Sequence, residues 1–305
     1  MANKIIAVMG ATGTQGSGVV KELLARGKFG VRALTRNPKS DKAQALKKQG
    51  CEIVQGDLTK PDTLEPAFAG AYGAFLVTNF WDPGTGAKET AQGTLAVKAA
   101  KSARVQHLVW STLPNSQAIS KGKYEVIHFT GKALVDAEVK AAGFPYYTFV
   151  EAPMYFQNLL GMMAPQPLGD GRTGWTIAMN PNSKTVHVGD PTELGRLVAR
   201  ALEQPESFGH GQYLSQASET ISWQDLVDTL NAQGHRFAVK QVPNEVYDSF
   251  PFPGAQEFRE MMNYFEEYSY FGPEADKKIT LANTLCPEGF TTFAEWASQN
   301  MKPHG

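Results

Sequence analysis

Cysteine is nearly absent: 305 residues carry only Cys51 and Cys286. Two thiols so far apart form neither a disulfide framework nor a metal-ligand spacing, and they fit a reducing compartment. A surplus of charge is lacking too, with 29 Lys plus Arg against 30 Asp plus Glu and a formal net charge of −1. No global field therefore draws in nucleic acid or an anionic membrane surface. Without a basic stripe or a helix-turn-helix pattern, direct DNA binding is set aside. No apolar run reaches the length of a membrane span, and Met1 to Lys4 lead straight into a strand without a signal-like segment. The chain is read as cytoplasmic, with nuclear residence left open. Internal repeats and low-complexity tracts are missing. What remains, 42% hydrophobic and 19% charged residues, is the composition of an ordinary globular protein able to bury a large core.

What is present begins at the N-terminus. Ile5 to Met9 form an unbroken apolar run, too short for a helix and suited to a strand buried on both faces. Gly10, Gly13 and Gly16 follow at once, and Ser17 to Arg26 read as a helix with Val19, Val20, Leu23 and Leu24 inward. Strand, glycine turn and helix are the context of a dinucleotide fingerprint. Gly10 permits the tight turn, Gly13 lets the backbone approach a pyrophosphate, and Gly16 lets helix and strand pack closely.

Further strands are read at 31–35, 51–54, 73–78, 107–111 and 145–150, with helices between them at 41–49, 61–68, 89–103 and 124–142. That alternation predicts an α/β fold of Rossmann type, a doubly wound parallel sheet with helices on both faces. Beyond residue 151 the pattern loosens into a loop-rich stretch at 161–185, a helix from Asp190 to Leu202, a strand near 211–214, and a helix opened by Ser222 and Asp225. A late strand at 237–242 and a helix over 254–268 follow. The division expected is a nucleotide-binding domain over 1–153, with 186–204 returning to it, and a smaller α/β C-terminal lobe over 154–305 covering the cleft. The loop 82–88 is the segment expected to move.

The second strand ends at Thr35-Arg36, where NAD-selective fingerprints place a carboxylate. A guanidinium there suits a 2′-phosphate, so NADP(H) is expected over NAD(H). A solvated surface arginine is the plainer reading of the same residue. Asp57 is placed to accept from an adenine amino group or to serve as a turn residue, and Thr78 and Asn79 end the strand beside which a ribose would pass.

These residues resemble the NmrA-like family of atypical short-chain dehydrogenase/reductases. The resemblance is carried by Gly10-Ala-Thr-Gly-Thr-Gln-Gly16, Thr35-Arg36-Asn37-Pro38, Gln55-Gly56-Asp57, Thr78-Asn79-Phe80-Trp81, His128-Phe129-Thr130-Gly131-Lys132, Pro153-Met-Tyr-Phe-Gln-Asn158 and Phe252-Pro-Gly-Ala-Gln256. It runs nearly end to end, and within the family the chain looks most like the animal redox-sensor proteins. The resemblance implies an NADP(H) site lined by Gly10, Ala11, Thr12, Gly13, Thr14, Gln15, Gly16, Arg36, Asp57, Leu58, Thr78, Asn79, Phe80, Lys132, Tyr155, Phe156, Gln157 and Asn158. It also implies a protein partner bound according to cofactor state.

Ordinary reductases of this kind carry Tyr-x-x-x-Lys, and here His128 stands four residues before Lys132 in the tyrosine's place. Ser111, ending the fifth strand, matches the usual helper serine. Lys132, His128 and Ser111 are thus the candidate catalytic set. Imidazole can donate a proton near neutrality, but it is shorter than a phenol, and a cationic lysine beside it opposes its protonation. His128 reads more readily as a packing or capping residue. The function expected is a redox sensor or regulator acting through a cofactor-dependent protein interaction; the alternative is an NADPH-dependent reductase of a small apolar quinone or enone. For the second, Phe80, Trp81, Tyr155, Phe156, Met162, Met261 and Met262 would line the substrate crevice; each also reads as core. Turnover and oligomeric state stay open.

Overall fold

The computed structural model describes residues 4–82 and 86–303. The apolar runs make a seven-stranded sheet: Ile5–Val8 (β1), Gly30–Thr35 (β2), Glu52–Gln55 (β3), Gly73–Leu76 (β4), His107–Thr112 (β5), Tyr146–Glu151 (β6) and His210–Ser215 (β7). Its spatial order is β7-β6-β5-β4-β1-β2-β3, and every pairing is parallel. Parallel strands need helical crossovers, so both faces are covered. The helices Thr14–Arg26 (α1), Leu194–Glu203 and Ala275–Leu285 pack on one face. Leu64–Phe68, Gly86–Ser102 and Ile127–Ala141 pack on the other. The order reverses between β1 and β4, and that switch point fixes where a crevice opens.

A Cβ on Gly18 would lie 2.0 Å from the Thr192 carbonyl oxygen, and one on Gly195 would lie 2.3 Å from that of Gly18. The first helix and the Leu194–Glu203 helix therefore touch backbone to backbone, and residues near 190–204 belong to the layers of the large sheet. So does more of the C-terminal half than the sequence suggests. His210–Ser215 is the edge strand β7, and Ala275–Leu285 packs beside it. The remainder forms a lobe with its own core, built around Trp175, Trp223, Phe265, Phe271 and Trp296. Within the loop-rich stretch, Thr173–Ile177 forms a strand parallel to Phe237–Gln241. Of the loop 82–88, residues 83–85 lie outside the described residues, and helix has begun by Gly86. Among the described residues no helix is long and apolar enough to cross a membrane.

Three buried titratable groups give the fold a signed pH dependence. Burial holds His107 and His187 down at about 4, below the ordinary histidine value of 6.5. Burial pushes Asp136 up to about 7, against hydrogen bonds from Thr112 and Tyr213. From pH 6.5 down to about 4 the unfolded chain takes up protons on both histidines that the folded chain refuses, so their contribution is lost as pH falls. Asp136 works the other way, favouring the fold at acid pH and fading as pH rises toward 7. Two protons against one leave a net loss of stability with acid of about 1.4 kcal/mol per pH unit. Asp136→Asn removes the opposing group, so the slope of unfolding free energy against pH is expected to roughly double. Urea titrations at several pH values between 4.5 and 6.5 measure it, and an unchanged slope would contradict the assignment.

Candidate functional site

The crevice opens where β1 and β4 end. Main-chain bonds fix its floor: Met9 N–H donates to Phe75 (2.9 Å), Ala11 N–H to Leu34 (3.3 Å), and Gly13 N–H to Gly10 (2.8 Å). Gly10 sits at φ +64°, the left-handed turn that a side chain disfavours. A Cβ on Gly13 would stand 3.3 Å from the Gly10 oxygen, and one on Gly16 only 2.2 Å from it. Gly13 is the N-cap of α1 and supplies no side-chain cap, and the first turn carries no acidic residue. The leading N–H groups of α1 thus face the crevice with positive partial charge and no carboxylate beside them, as an anion requires. The cavity has a volume of about 560 Å³.

From the glycine turn the cavity runs past Arg36, Asp57 and Leu58 on one side. On the other it passes Thr78, Asn79, Phe80, Ser111, His128, Lys132, Tyr155 and Asn158. Thr12, Thr14 and Gln15 also line it. Three residues expected at the site do not line the cavity. Ala11 is fully buried beneath the turn, and Phe156 is 1% exposed and packed on Phe293 and Trp296 in the lobe's core. Gln157 does not line the cavity, and its Oε1 is buried without a partner among the described residues. Pro153, Met154 and Tyr155 line the crevice in succession, and the 3-10 turn Phe156–Leu160 that follows points Phe156 inward and brings Asn158 back to the crevice. Of the apolar residues proposed for the crevice, Phe80, Trp81, Tyr155, Met162 and Met261 line it; Met262 is core, its sulfur accepting from Ala178 N–H (3.2 Å).

Arg36 donates through Nη1 to Asp82 Oδ2, a carboxylate from the segment after β4. A phosphate approaching Arg36 has to displace or share that contact. Asp57 accepts on Oδ1 from the backbone and hydroxyl of Thr59 (2.9 and 2.7 Å), which makes it a turn residue, whatever else it binds. Burial pushes its carboxyl up, but those bonds and the nearby Lys60 and Arg36 outweigh burial and hold it below the usual range.

At the centre, Lys132 is buried and its amine is fully engaged. Nζ donates to the Thr78 carbonyl (2.9 Å), the Thr78 hydroxyl (3.0 Å) and Glu89 Oε1 (2.6 Å). An ammonium has three protons, so these partners account for all of them. Glu89 is 0% exposed and accepts also from Thr78 Oγ1 (2.8 Å). Glu89 carries no local signal of this role, because an acidic residue early in a helix reads as a solvated first-turn charge. Ser111 donates to Gln15 Oε1 (2.7 Å), whose amide donates to the Tyr155 hydroxyl (2.6 Å). That direction leaves the Tyr155 O–H for another acceptor. Burial holds the phenol proton more firmly than usual, against the Gln15 bond.

His128 lines the far end. Its Nδ1 stands 2.5 Å from Glu257 Oε1, and the same oxygen accepts from the His128 backbone N–H at 3.1 Å. Burial pushes Glu257 up, and the bonds and charge of His128 more than reverse this, holding the carboxylate below its ordinary range. The segment Phe252 to Gln256, read for its resemblance, stops one residue short of Glu257. Glu89 pairs with the Lys132 ammonium, and Glu257 faces the imidazole. Phe80, Trp81 and Phe129 surround the ring, with centroids 5.6, 5.7 and 4.8 Å away.

Comparison with known sequences then decides the lineage, for the profile of the NmrA-like family matches residues 2–297. The chain belongs to the NmrA-like family. A relative in Aspergillus japonicus, the NmrA-like family domain-containing oxidoreductase himF, is 28% identical over 91% of this chain and 88% of its own. Among solved structures, NmrA, a negative transcriptional regulator, superposes in its NADP complex with a TM-score of 0.79 at 23% identity, covering 98% of this chain and 96% of that one. An NADPH-dependent quinone oxidoreductase of Escherichia coli, complexed with NADPH, gives 0.77 at 19% identity over 96% and 99%. At these identities the solved structures establish the Rossmann-type fold of an NmrA-like chain.

Proposed function

We propose that this NmrA-like chain binds NADP(H) along the crevice and uses it to reduce a flat, conjugated apolar molecule of the quinone or enone class. The observation that carries this reading is one continuous cavity with two chemically distinct ends. One is a side-chain-free glycine cradle at a helix start; the other is an aromatic and methionine wall holding His128 against Glu257. The cradle fits a pyrophosphate, since the exposed N-cap Gly13 leaves the helix start without a side chain and no carboxylate in the first turn opposes the anion. Arg36, Asn79, Lys132, Tyr155 and Asn158 are the residues that would hold the remainder of the cofactor. Reduced nicotinamide bound there supplies a hydride. The chain's part is to stack the acceptor on Phe80, Trp81 and Phe258, to exclude water with Met162 and Met261, and to offer polar hydrogens at His128 and Tyr155. Relatives named oxidoreductases, and a fold shared with a quinone oxidoreductase, support the same assignment. Purified protein is expected to oxidise NADPH with a naphthoquinone acceptor; absence of turnover with quinones and enones alike would remove the reading.

The 2′-phosphate preference is a separate expectation. Arg36→Asp replaces an attraction by a repulsion, so affinity for NADPH and NADP⁺ should fall on the order of 10²-fold, with NADH and NAD⁺ little changed. Asp82→Asn frees the guanidinium and should tighten the phosphorylated forms severalfold. Fluorescence titration of both variants reads the difference, and uniform weakening of all four nucleotides by Arg36→Asp would contradict it.

One observation favours a second reading, that of a cofactor sensor acting through a protein partner. Seating a phosphate on Arg36 breaks or shares the Arg36–Asp82 pair, so cofactor occupancy is coupled to the segment after β4. The sensing reading then needs a surface that differs between bound and empty states. Hydrogen exchange of peptides covering 76–82 with and without NADPH tests it, and identical exchange would remove it.

A further inference from the structure

We propose that Glu257, delivered by the lobe's Ala255–Tyr268 helix, fixes His128 as the proton donor to the carbonyl oxygen of the acceptor. The proposal rests on the reductase reading and deepens it. It assigns the far end of the crevice to a carbonyl whose oxygen must gain a proton when its conjugated system gains a hydride.

The geometry points there in three ways. A carboxylate oxygen accepting from Nδ1 puts the ring proton on that nitrogen and leaves Nε2 as the atom for a ligand. The same oxygen takes the His128 backbone N–H, so one group fixes both the ring and the start of the Ile127–Ala141 helix, whose N-cap Val126 has no side-chain cap. Both side chains are largely withdrawn from solvent, at 15% and 11% exposure, yet His128 borders the cavity. A ring hemmed by Phe80, Trp81 and Phe129 has little freedom to turn. His128 is therefore a candidate catalytic residue, and Glu257, acting through it, a positioning residue.

The step balances. The acceptor gains two electrons with the hydride, and its carbonyl oxygen becomes an oxyanion. With Nδ1–H held by Glu257, Nε2 takes up a second proton from solvent; that Nε2–H bond breaks as the O–H bond forms, and the ring returns to its Nδ1–H form. Glu257 compensates the ring's charge before transfer, and solvent at the crevice mouth returns the proton. A naphthoquinone leaves as its hydroquinone.

A pair of acceptors isolates the proton. A quinone needs one on oxygen, whereas a cationic triarylmethane dye takes a hydride and becomes neutral with no proton at all. In the full-length protein with NADPH, the ratio of quinone to dye turnover should fall on the order of 10²-fold in His128→Gln and at least about tenfold in Glu257→Gln. The loss should appear in kcat for the quinone more than in KM, and Glu257→Asp should recover part of it. Ring ¹⁵N spectra of the cofactor-bound protein, assigned by the His128 variant, should show the Nδ1–H tautomer in the wild type and a mixture in Glu257→Gln. An unchanged turnover ratio in both variants overturns the proton-donor role; a single tautomer persisting in Glu257→Gln overturns the positioning role. Dye and quinone both failing in the wild type would instead sink the reductase reading and the donor role with it, while the tautomer measurement still decides whether Glu257 orients the ring.

Discussion

Glu89→Ala should cost the fold about 3–5 kcal/mol, the size expected when one partner of a buried ion pair is removed. The carboxylate is 0% exposed, and without it the Lys132 ammonium, itself 9% exposed, keeps only the two Thr78 oxygens. Lys132→Met makes the mirror-image error, leaving a buried carboxylate whose Oε2 already lacks a partner among the described residues. Replacing both at once, Glu89→Leu with Lys132→Met, removes the charges together. That double variant should recover much of the loss, because an apolar pair of similar volume can be nearly neutral. Urea unfolding of Glu89→Leu, Lys132→Met and the double variant closes the cycle and gives the coupling energy directly. Additive losses would mean that the two groups do not answer each other. The pair also bears on binding, since the Lys132 amine reaches a ribose only by sharing protons now spent on Thr78 and Glu89.

Gly16→Ala should abolish measurable nucleotide binding, a fall of at least about 10²-fold, while changing stability far less than Glu89→Ala. The added Cβ would stand 2.2 Å from the Gly10 oxygen, 2.6 Å from its carbon and 2.9 Å from the Ala11 nitrogen. All three are main-chain atoms of the turn that faces a pyrophosphate, so the turn opens to admit the methyl group. Gly18→Ala lies two residues on and meets a different neighbour, the Thr192 carbonyl at 2.0 Å. It should therefore lower stability, by about 1–3 kcal/mol, more than affinity. Calorimetric binding and thermal unfolding of the two variants separate turn from packing; the same balance of losses in both would contradict the assignment.

The parts of this molecule legible in its sequence are those written in local signals. An unbroken apolar run marks β1, shorter apolar-rich stretches mark β2 to β6, and the glycine spacing marks the turn before α1, because each depends on neighbours in the chain. Ser222 and Asp225 likewise announce their helix, which opens with the expected capping box. What escaped depends on partners far away. Glu89 meets Lys132 across 43 residues and Glu257 meets His128 across 129, so neither carboxylate differs locally from a solvated helix charge. β7 joins the large sheet beside β6 only after the chain has left to build part of the lobe. Resemblance alone puts Phe156 at the cofactor, whereas the 3-10 turn it opens points it into the lobe's core.

The central claim, that the crevice grips a phosphorylated nicotinamide dinucleotide between the start of α1 and Arg36, meets its most direct test in calorimetric titration of the unaltered protein with NADPH, NADP⁺, NADH and NAD⁺. One site per chain is expected, with the two phosphorylated forms bound at least about tenfold more tightly than the others. Absence of heat with all four, or equal affinities across them, would contradict it.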